Sequence, residues 1–483
     1  MNYRMILFLI GYILRVEAAF MVPALAVALL YHEQASVSGF FITILILLAV
    51  SMLTVFVRPE KRTLYVRDGM FTVALAWIAV SFFGALPFFL SGSIPSFVDC
   101  IFETVSGFTT TGASILTNVE GLPFGMLYWR SFTHWLGGMG VLVFLLAIVP
   151  LAKGSGNSLH LLRAESPGPQ VGKLVPKMRD TATILYGIYI VLSLIEVIFL
   201  LAGGMSLFDS ITTMFGTAGT GGFGVKNDSI AGYSPYLQVV VTVFMALFGV
   251  NFNIFYLLLI REFSKAFHNE ELRAYLGIML GSIMIITVDI MPMFGNRFGE
   301  ALRHAAFQVS SIMTTTGFAT TDFNVWPELS RVILVVLMIV GASAGSTGGG
   351  IKVSRLLLLL KSAKRDLQKM LRPRAVKTVR MDGEMIDDAT LRGVHAYMTV
   401  YCAIAVVSIL LIALDNFSFE SNLTAVLACL NNIGPGLGVV GPIENYSVFS
   451  DFSKVILTAN MLIGRLEIFP ILLLFAPSMW KKI

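Results

Sequence analysis

Long apolar runs dominate the chain, and polar residues are confined to the segments between them. Ten runs have the length of about 20 residues that a helix needs to cross the hydrocarbon core of a bilayer. We therefore predict ten transmembrane helices. They lie near residues 7–31, 37–57, 70–91, 126–152, 181–203, 236–260, 273–292, 329–360, 393–415 and 452–477.

The composition supports this assignment. Of the 483 residues, 56% are hydrophobic and only 13% are charged. Soluble domains carry about one charged residue in four, so the composition excludes a soluble enzyme and a disordered scaffold. The three cysteines, Cys100, Cys402 and Cys429, are too few and too widely spaced for a disulfide framework or a zinc site. We expect an all-α polytopic membrane protein.

Lysine and arginine are distributed unevenly between the two sides of the predicted bundle. The links 58–68, 153–180 and 361–392 are basic, whereas 69–129 and 416–453 contain neither residue. Basic links remain in the cytoplasm, so we place both termini there. The net charge of +5 is therefore a topology signal and a match for an anionic lipid bilayer, and we expect no nucleic-acid partner.

Four outer links each contain a half-length apolar run that is too short to cross the membrane. Each run leads into a cluster of small residues, and a further span follows. The four segments are 96–108 before 109–113, 207–218 before 219–223, 302–313 before 314–318, and 422–431 before 432–436. The focal glycines Gly112, Gly222, Gly317 and Gly434 stand 110, 95 and 117 residues apart. Such recurrence indicates an internal repeat.

We therefore predict four units of the form span, short helix, glycine cluster and span, preceded by two extra helices. Arg331 and Lys454 begin the last spans of the third and fourth units, and a glycine follows ten residues later in both. The predicted parts are the extra helices 1–60, the repeats 61–160, 161–265 and 266–362, the cytoplasmic linker 363–392, and the fourth repeat 393–483.

The glycine clusters predict a cation path. Irregular backbone at membrane depth must be buried in protein or line a water-filled route. Four converging segments could replace the hydration shell of a cation with backbone carbonyls, and the short helices would aim their partially negative ends at it. A divalent ion would require carboxylates, and the clusters contain none. The pattern therefore favours a large monovalent ion.

A second glycine run interrupts the apolar stretch 329–360. Residues 341–350 read Gly-Ala-Ser-Ala-Gly-Ser-Thr-Gly-Gly-Gly, which disfavours a helix by about 1 kcal/mol per glycine. Small residues also permit close helix packing, but packing requires only one in four. We therefore expect a broken helix that lines the pore. No Walker A loop is present, because Ile351 separates Gly350 from Lys352.

Ionisable residues inside the spans are functional candidates. The ones that stand out are Arg15, Glu17, Glu196, Asp289, Arg465 and Glu467, and we expect Asp99 and Asp209 to cap short helices. Arg465 follows Gly464 at the level of the glycine run, so we expect it to donate to freed carbonyls of 343–350. It either repels cations as part of a gate or holds the fourth repeat to its neighbours.

These motifs resemble the TrkH/TrkG-type potassium-uptake membrane subunits of the Trk/Ktr/HKT superfamily of cation transporters. The matching stretches are 102–113, 313–318, 341–352, 431–438 and 464–469. The resemblance extends over essentially the whole chain. It implies four pseudo-symmetric M1–pore helix–M2 repeats around one central pore, in a homodimer in the bacterial inner membrane.

The resemblance also implies the residues of the ion path. The expected potassium-binding filter consists of Thr110, Thr111, Gly112, Thr220, Gly221, Gly222, Thr315, Thr316, Gly317, Asn432, Ile433 and Gly434. In the fourth segment Gly436 is the alternative to Gly434, which we favour because it follows Asn432-Ile433 as Gly112 follows Thr110-Thr111. The expected gate consists of Gly341, Gly345, Ser346, Thr347, Gly348, Gly349, Gly350 and Arg465.

The function implied is potassium uptake without enzyme activity. The chain itself is expected to hold no cofactor, whereas a TrkA-like cytosolic regulatory ring would bind NAD(H) or ATP/ADP. Glycine at all four focal positions favours potassium, and a sodium-permeable or sodium-coupled transporter of the same superfamily is the alternative. A membrane-embedded enzyme is disfavoured, because this sequence has no convergent histidines or carboxylates. An alternating-access carrier is disfavoured, because it would require inverted repeats.

Overall fold

A computed structural model describes residues 2–57, 65–138, 140, 178–374 and 377–477 of the chain. Helices make up nearly all of the regular structure in these ranges. The exceptions are two-residue strands, β1 (Arg380–Met381) and β2 (Glu384–Met385), which form an antiparallel hairpin. The predicted all-α polytopic architecture is confirmed.

The helices follow the predicted order. The extra pair is α1 (Tyr3–Leu30) and α2 (Gln34–Phe56). The first repeat contains α3 (Val66–Leu90), α4 (Phe97–Phe108) and α5 (Phe124–Gly138). The second contains α6 (Met178–Ala202), α7 (Leu207–Ala218), α8 (Pro235–Phe248) and α9 (Phe252–Leu259), and the short α10 (Phe263–His268) follows it.

The third and fourth repeats are described almost completely. The third contains α11 (Glu270–Ile290), α12 (Phe298–Met313), α13 (Glu328–Val340) and α14 (Val353–Leu371). The fourth contains α15 (Asp388–Ile412), α16 (Phe419–Leu430), α17 (Asp451–Arg465) and α18 (Phe469–Leu474). Short 3₁₀ turns lie at Met291–Phe294, Phe323–Val325, Ala413–Asp415, Gly438–Val440 and Tyr446–Val448.

The short helices α4, α7, α12 and α16 occupy equivalent places, and we call them the pore helices. The helix that follows the glycine cluster of one repeat packs against the pore helix of the next repeat: α5 contacts α7, α8 contacts α12, α13 contacts α16, and α17 closes the circle on α4. Helix α1 packs on α2, α3 and α5, outside this ring. The arrangement places the ends of the four pore helices around one axis.

Serines, rather than the predicted aspartates, cap the first two pore helices. The hydroxyl of Ser96 accepts the N–H of Asp99, and that of Ser206 accepts the N–H of Asp209. Both aspartates lie in the first helical turn, where a carboxylate favours the helix dipole. A serine three residues earlier reaches the N–H of the third helical residue better than that residue's own side chain can, so the predicted caps were wrong.

Several predicted spans are interrupted. By length and composition, six helices of the described residues can cross a membrane, or seven when α8 and α9 count as one span bent by 90°. The runs 236–260, 329–360 and 452–477 were each predicted as one span, but their helices break at 249–251, 341–352 and 466–468. The breaks at 249–251 and 466–468 escaped prediction because apolar residues surround them. Most of the predicted span 126–152 beyond Gly138 lies outside the described residues.

The polar link before the fourth repeat is partly helical. Helix α14 runs to Leu371, so the predicted linker 363–392 begins inside it and also contains the hairpin. At its end, Asp387 caps α15, because the hydroxyl and backbone N–H of Thr390 bond its carboxylate and lower its pKa. The predicted boundaries between residues 60 and 61 and between residues 160 and 161 lie outside the described residues, and the other domain boundaries stay predictions.

Glu384, in the hairpin, and Glu444, after the fourth glycine cluster, are both exposed and lie on opposite predicted sides of the membrane. Cysteine introduced at Glu384 should react with a membrane-impermeant maleimide only after permeabilisation, because basic links stay inside. Cysteine at Glu444 should react in intact cells. Cys402 is exposed and would be replaced by serine in both variants, whereas Cys100 and Cys429 are buried. Labelling of Glu384→Cys in intact cells would contradict the predicted orientation.

Candidate ion pathway

The four glycine clusters share one backbone conformation. Two residues in each have left-handed φ angles, 52–60° at the first and 78–99° at the second. These residues are Thr110 and Gly112, Thr220 and Gly222, Thr315 and Gly317, and Asn432 and Gly434. Alternating left-handed and extended residues turn successive carbonyls to the same side. In the fourth cluster Gly434, and not Gly436, has this register.

Hydrogen bonds tie each cluster to the end of its own pore helix. The residue between the two left-handed positions donates its N–H to a carbonyl five residues earlier, at 2.8 Å in every repeat. The pairs are Thr111 with Ser106, Gly221 with Gly216, Thr316 with Ser311, and Ile433 with Ala428. The N–H groups of the clusters therefore face the pore helices, and the carbonyl groups of the clusters are left to line the central axis.

The clusters meet in a closed ring. A β-carbon on Gly112 would overlap the carbonyl oxygen of Gly221, and one on Gly222 would overlap that of Thr316. A β-carbon on Gly317 would overlap the carbonyl oxygen of Ile433, and one on Gly434 would lie 2.8 Å from that of Thr111. Each focal glycine thus packs against the next repeat's carbonyl. We call these four segments, with the residues predicted for them, the filter ring.

Threonine hydroxyls brace the ring from behind. The hydroxyls of Thr109 and Thr111 lie 2.8 Å apart, as do those of Thr314 and Thr316. The side-chain amide of Asn432 bonds the hydroxyl of Thr111 at 2.9 Å and so links the fourth segment to the first. The second segment has glycine at both threonine positions, Gly219 and Gly221. Its support must come from elsewhere.

A buried ion pair fixes the outer ends of the first two segments. Glu103 on α4 and Arg130 on α5 are almost fully buried and lie 2.6 Å apart. The carboxylate also accepts the hydroxyl of Ser114 and the N–H of Ile115. Arg130 donates to the carbonyl of Gly224 at 2.9 Å. Sequence reasoning missed this pair, although a charge on each side of a filter motif was the available signal.

The glycine run lies directly beneath the filter ring. Residues 341–352 separate α13 from α14, as predicted, and Gly341, Gly345 and Gly350 have φ angles of 70–77°. The N–H of Gly349 donates to the hydroxyl of Thr315 at 2.6 Å, and that of Gly350 donates to the carbonyl of Asn431 at 3.0 Å. The run therefore contacts the inner ends of the third and fourth segments.

The remaining residues of the run are held by neighbouring helices. A β-carbon on Gly348 would lie 2.8 Å from the carbonyl oxygen of Thr314. Thr347 donates its hydroxyl to the carbonyl of Phe248, and Ser346 donates its own within the run. The carbonyl of Gly345 accepts the N–H of Phe252 at the bend between α8 and α9. The break between α13 and α14 is thus hydrogen-bonded to the bend between α8 and α9.

Glu271 on α11 anchors both ends of the run. Its Oε1 accepts the N–H groups of Ala344, at 2.7 Å, and Ser354, at 3.1 Å. Lys352 is also buried, and its ammonium bonds the carbonyl of Gly348. These charged groups satisfy the peptide units that the broken helix frees. Neither residue was among the buried charges that the sequence had singled out.

Arg465 reaches the run from the fourth repeat. It donates to the carbonyl of Thr347 at 3.0 Å, which confirms the expected contact with residues 343–350. It also donates to the carbonyl of Gly137 at 2.6 Å. Glu467 forms an ion pair with Arg355 of α14. Arg465 therefore links the first, third and fourth repeats.

The chemistry of this pathway is that of neutral oxygen atoms. Within the described residues, no group of three or more His, Cys, Asp or Glu side chains could hold a metal ion. The filter ring instead presents backbone carbonyls, which suit a dehydrated monovalent cation. Fold and site together define a polytopic membrane protein with four pore-helix repeats around one axis.

The chain belongs to the TrkH family of cation transport proteins, which matches residues 36–482. It is 36% identical to the Trk system potassium uptake protein TrkH of Escherichia coli K12, with 100% of each chain covered. It is 32% identical to TrkG of the same strain, covering 100% of this chain and 99% of the relative. The crystal structure of the potassium transporter TrkH from Vibrio parahaemolyticus matches all of both chains, with a TM-score of 0.88 and 32% identity.

Replacing Arg130 with methionine should destabilise the protein by about 3–5 kcal/mol, because it leaves the Glu103 carboxylate buried without its partner. The measurement is the midpoint of thermal aggregation in detergent, followed by size-exclusion chromatography. Arg297→Met is the matched control, since it removes an exposed pair with Glu300, worth about 0–1 kcal/mol. Equal midpoints for the two variants would show that the buried pair does not stabilise the fold.

Proposed function

We propose that this protein takes up potassium across the bacterial inner membrane through the filter ring. The observation that supports this most is the closed circle of four focal glycines, each packed on the carbonyl of the next repeat. Such a ring offers uncharged oxygen ligands at matched height from all four sides. Relatives that cover the whole chain bear the name potassium uptake protein, which agrees with this proposal.

The proposed gate is the glycine run 341–350 together with Arg465. The run lies under the filter ring and contacts Thr315 and Asn431. The guanidinium of Arg465 holds the run through Thr347 and places a positive charge near the axis. Opening requires these contacts to break so that the run moves aside. The positive charge repels cations until that happens.

Regulation is proposed to come from a cytosolic partner. A TrkA-like ring that binds NAD(H) or ATP/ADP would dock on the basic cytoplasmic side, where α14 extends from the glycine run to Leu371. Movement of α14 would then act directly on the run. We further propose a homodimer with one pore in each subunit and both termini in the cytoplasm. On this proposal the chain carries potassium as its substrate and no cofactor.

Sodium permeation is the second candidate, and the hydroxyl-rich first and third segments are the observation that favours it. The hydroxyls of Thr109 and Thr111 bond each other, however, as do those of Thr314 and Thr316. The focal positions themselves are all glycine. Potassium therefore remains the preferred ion.

Replacement of Gly112 by serine should lower the ratio of potassium to sodium permeability by about tenfold or more, which corresponds to 1.4 kcal/mol. The added side chain would overlap the carbonyl of Gly221 and force that ligand to move, and φ at Gly112 is 78°. The ratio would be measured by competitive uptake in a potassium-transport-deficient host.

Gly224→Ala is the control for this substitution. Gly224 lies two residues beyond Gly222, and its β-carbon would meet neighbours at 3.6 Å, an ordinary contact. It should leave the permeability ratio unchanged. If Gly112→Ser also leaves the ratio unchanged at normal protein yield, the ring is not the filter.

Substitution of Arg465 by glutamine should raise potassium flux several-fold at matched protein yield. A guanidinium at membrane depth costs roughly 3 kcal/mol to insert, so its presence calls for a role in the path. Arg465→Lys is the matched variant: it retains the charge but loses the planar fork, and its flux should stay nearer to wild type. Flux would be measured in reconstituted vesicles. Lower flux in correctly inserted Arg465→Gln protein would instead support the stapling role.

A further inference from the structure

The second segment of the filter ring lacks the threonines that brace the first and third, and one side chain occupies the space they leave. Glycine at position 222 is explained by its φ angle of 78°, but Gly221 lies outside the left-handed region. The backbone at Gly221 would thus accept any residue. A β-carbon there would overlap the ring of His134, whose atoms are the three nearest neighbours. His134 alone therefore accounts for the glycine.

The position of His134 in α5 can be compared with the other three repeats. Gly138 approaches Gly219, the first residue after the second pore helix, just as Gly249 approaches Thr314 after the third. His134 therefore corresponds to Met245, four residues before Gly249.

The remaining two repeats give the same correspondence. Gly137 packs on the last carbonyl of the first pore helix, at Phe108, and Gly464 packs on that of the fourth, at Leu430. His134 therefore corresponds to Met461. Gly341 matches Gly464 in sequence, which adds Met338 to the series. All four side chains are fully buried.

The residues at this position vary together with the filter segments. Each helix of this kind packs against the next repeat, and His134 lies beside Gly221. The correspondence assigns Met245 to the register of Thr316, Met338 to that of Ile433, and Met461 to that of Thr111. Where the helix carries methionine, the segment has a side chain at the central position. Where the helix carries histidine, the segment has none. The imidazole therefore replaces a missing filter side chain.

The position of the ring explains what it does for the ion path. It is fully buried, packs on Phe223 with ring centroids 4.1 Å apart, and has no hydrogen-bond partner for either nitrogen within the described residues. The imidazole thus supports the second segment by packing against it and not by hydrogen bonding. The carbonyl of Gly221, just in front of it, is the one against which Gly112 packs. A shift of the imidazole would move an ion ligand and its neighbour together.

We infer that His134 is a selectivity-determining positioning residue, which fixes the carbonyl of Gly221 in the filter ring. The inference rests on the proposed function of that ring. It differs from a general packing role because it predicts compensation: the histidine and the glycine must change together. Replacing both by the residues found in the third segment and its neighbour, Met and Thr, should rebuild a working segment.

The test is a double-mutant cycle of His134→Met and Gly221→Thr, read as the ratio of potassium to sodium permeability in reconstituted vesicles. Gly221→Thr alone should lower the ratio by about tenfold or more, because threonine overlaps the imidazole. Adding His134→Met should recover most of the loss. A double variant no better than the worse single variant would overturn the inference, as would a wild-type ratio in Gly221→Thr.

Two further variants keep the test decisive. If Gly221→Thr does not yield folded protein, the smaller pair Gly221→Ala and His134→Ala gives the same cycle. A His134 that only stabilises the fold would change the yield or thermal midpoint of His134→Met and leave the cycle additive. Gly112→Ser, measured in parallel, separates a failure of the filter ring from a failure of the role of His134. If Gly112→Ser leaves the permeability ratio unchanged, the filter ring is not the selectivity filter. If it changes the ratio but the cycle is additive, only the role of His134 is rejected.

Discussion

Every peptide group at membrane depth must find a hydrogen-bond partner or line a path for water and ions, and this constraint shapes the centre of the molecule. The chain leaves helical geometry at four filter segments and at three described breaks below them. At each place the freed groups are bound. The N–H groups of the filter donate to the pore helices, those of the glycine run donate to Glu271, Thr315 and Asn431, and Arg465 takes up the carbonyls of Thr347 and Gly137. The carbonyls of the filter ring are the groups that the proposed function assigns to a cation.

Repetition made this centre accessible to sequence reasoning. Four half-length helices before glycine clusters predicted the pore helices and their common register, and the run 341–350 predicted the broken helix between α13 and α14. Those features are local, since a glycine or a short apolar run indicates the backbone conformation of its own segment. The assignment of left-handed φ to Gly434 rather than Gly436 likewise follows the repeat register.

Contacts between distant elements could not be predicted in the same way. Glu103 and Arg130 pair across two helices of the first repeat, and the charges on each side of the filter motif do not by themselves show that the two side chains meet. The breaks at 249–251 and 466–468 lie inside long, mostly apolar runs, where mean hydropathy predicts a continuous span. The space beside Gly221 is filled by His134 of the preceding repeat, and neither residue alone indicates that contact. Such pairs are properties of the assembled ring, and one sequence shows only their halves.

The filter ring follows the fourfold repeat closely, whereas the elements below it do not, and this difference has a physical basis. The same two left-handed φ angles recur in all four filter segments even where side chains differ. This agrees with the proposed function, because a dehydrated ion needs similar ligands from all sides. A barrier has no such requirement, because one obstruction is enough to close a path. Below the filter the repeats accordingly diverge: α8 bends by 90°, the third repeat contributes the run 341–352, and the fourth contributes Arg465. Symmetry is kept where four carbonyls must act together, and it is lost where a single element suffices.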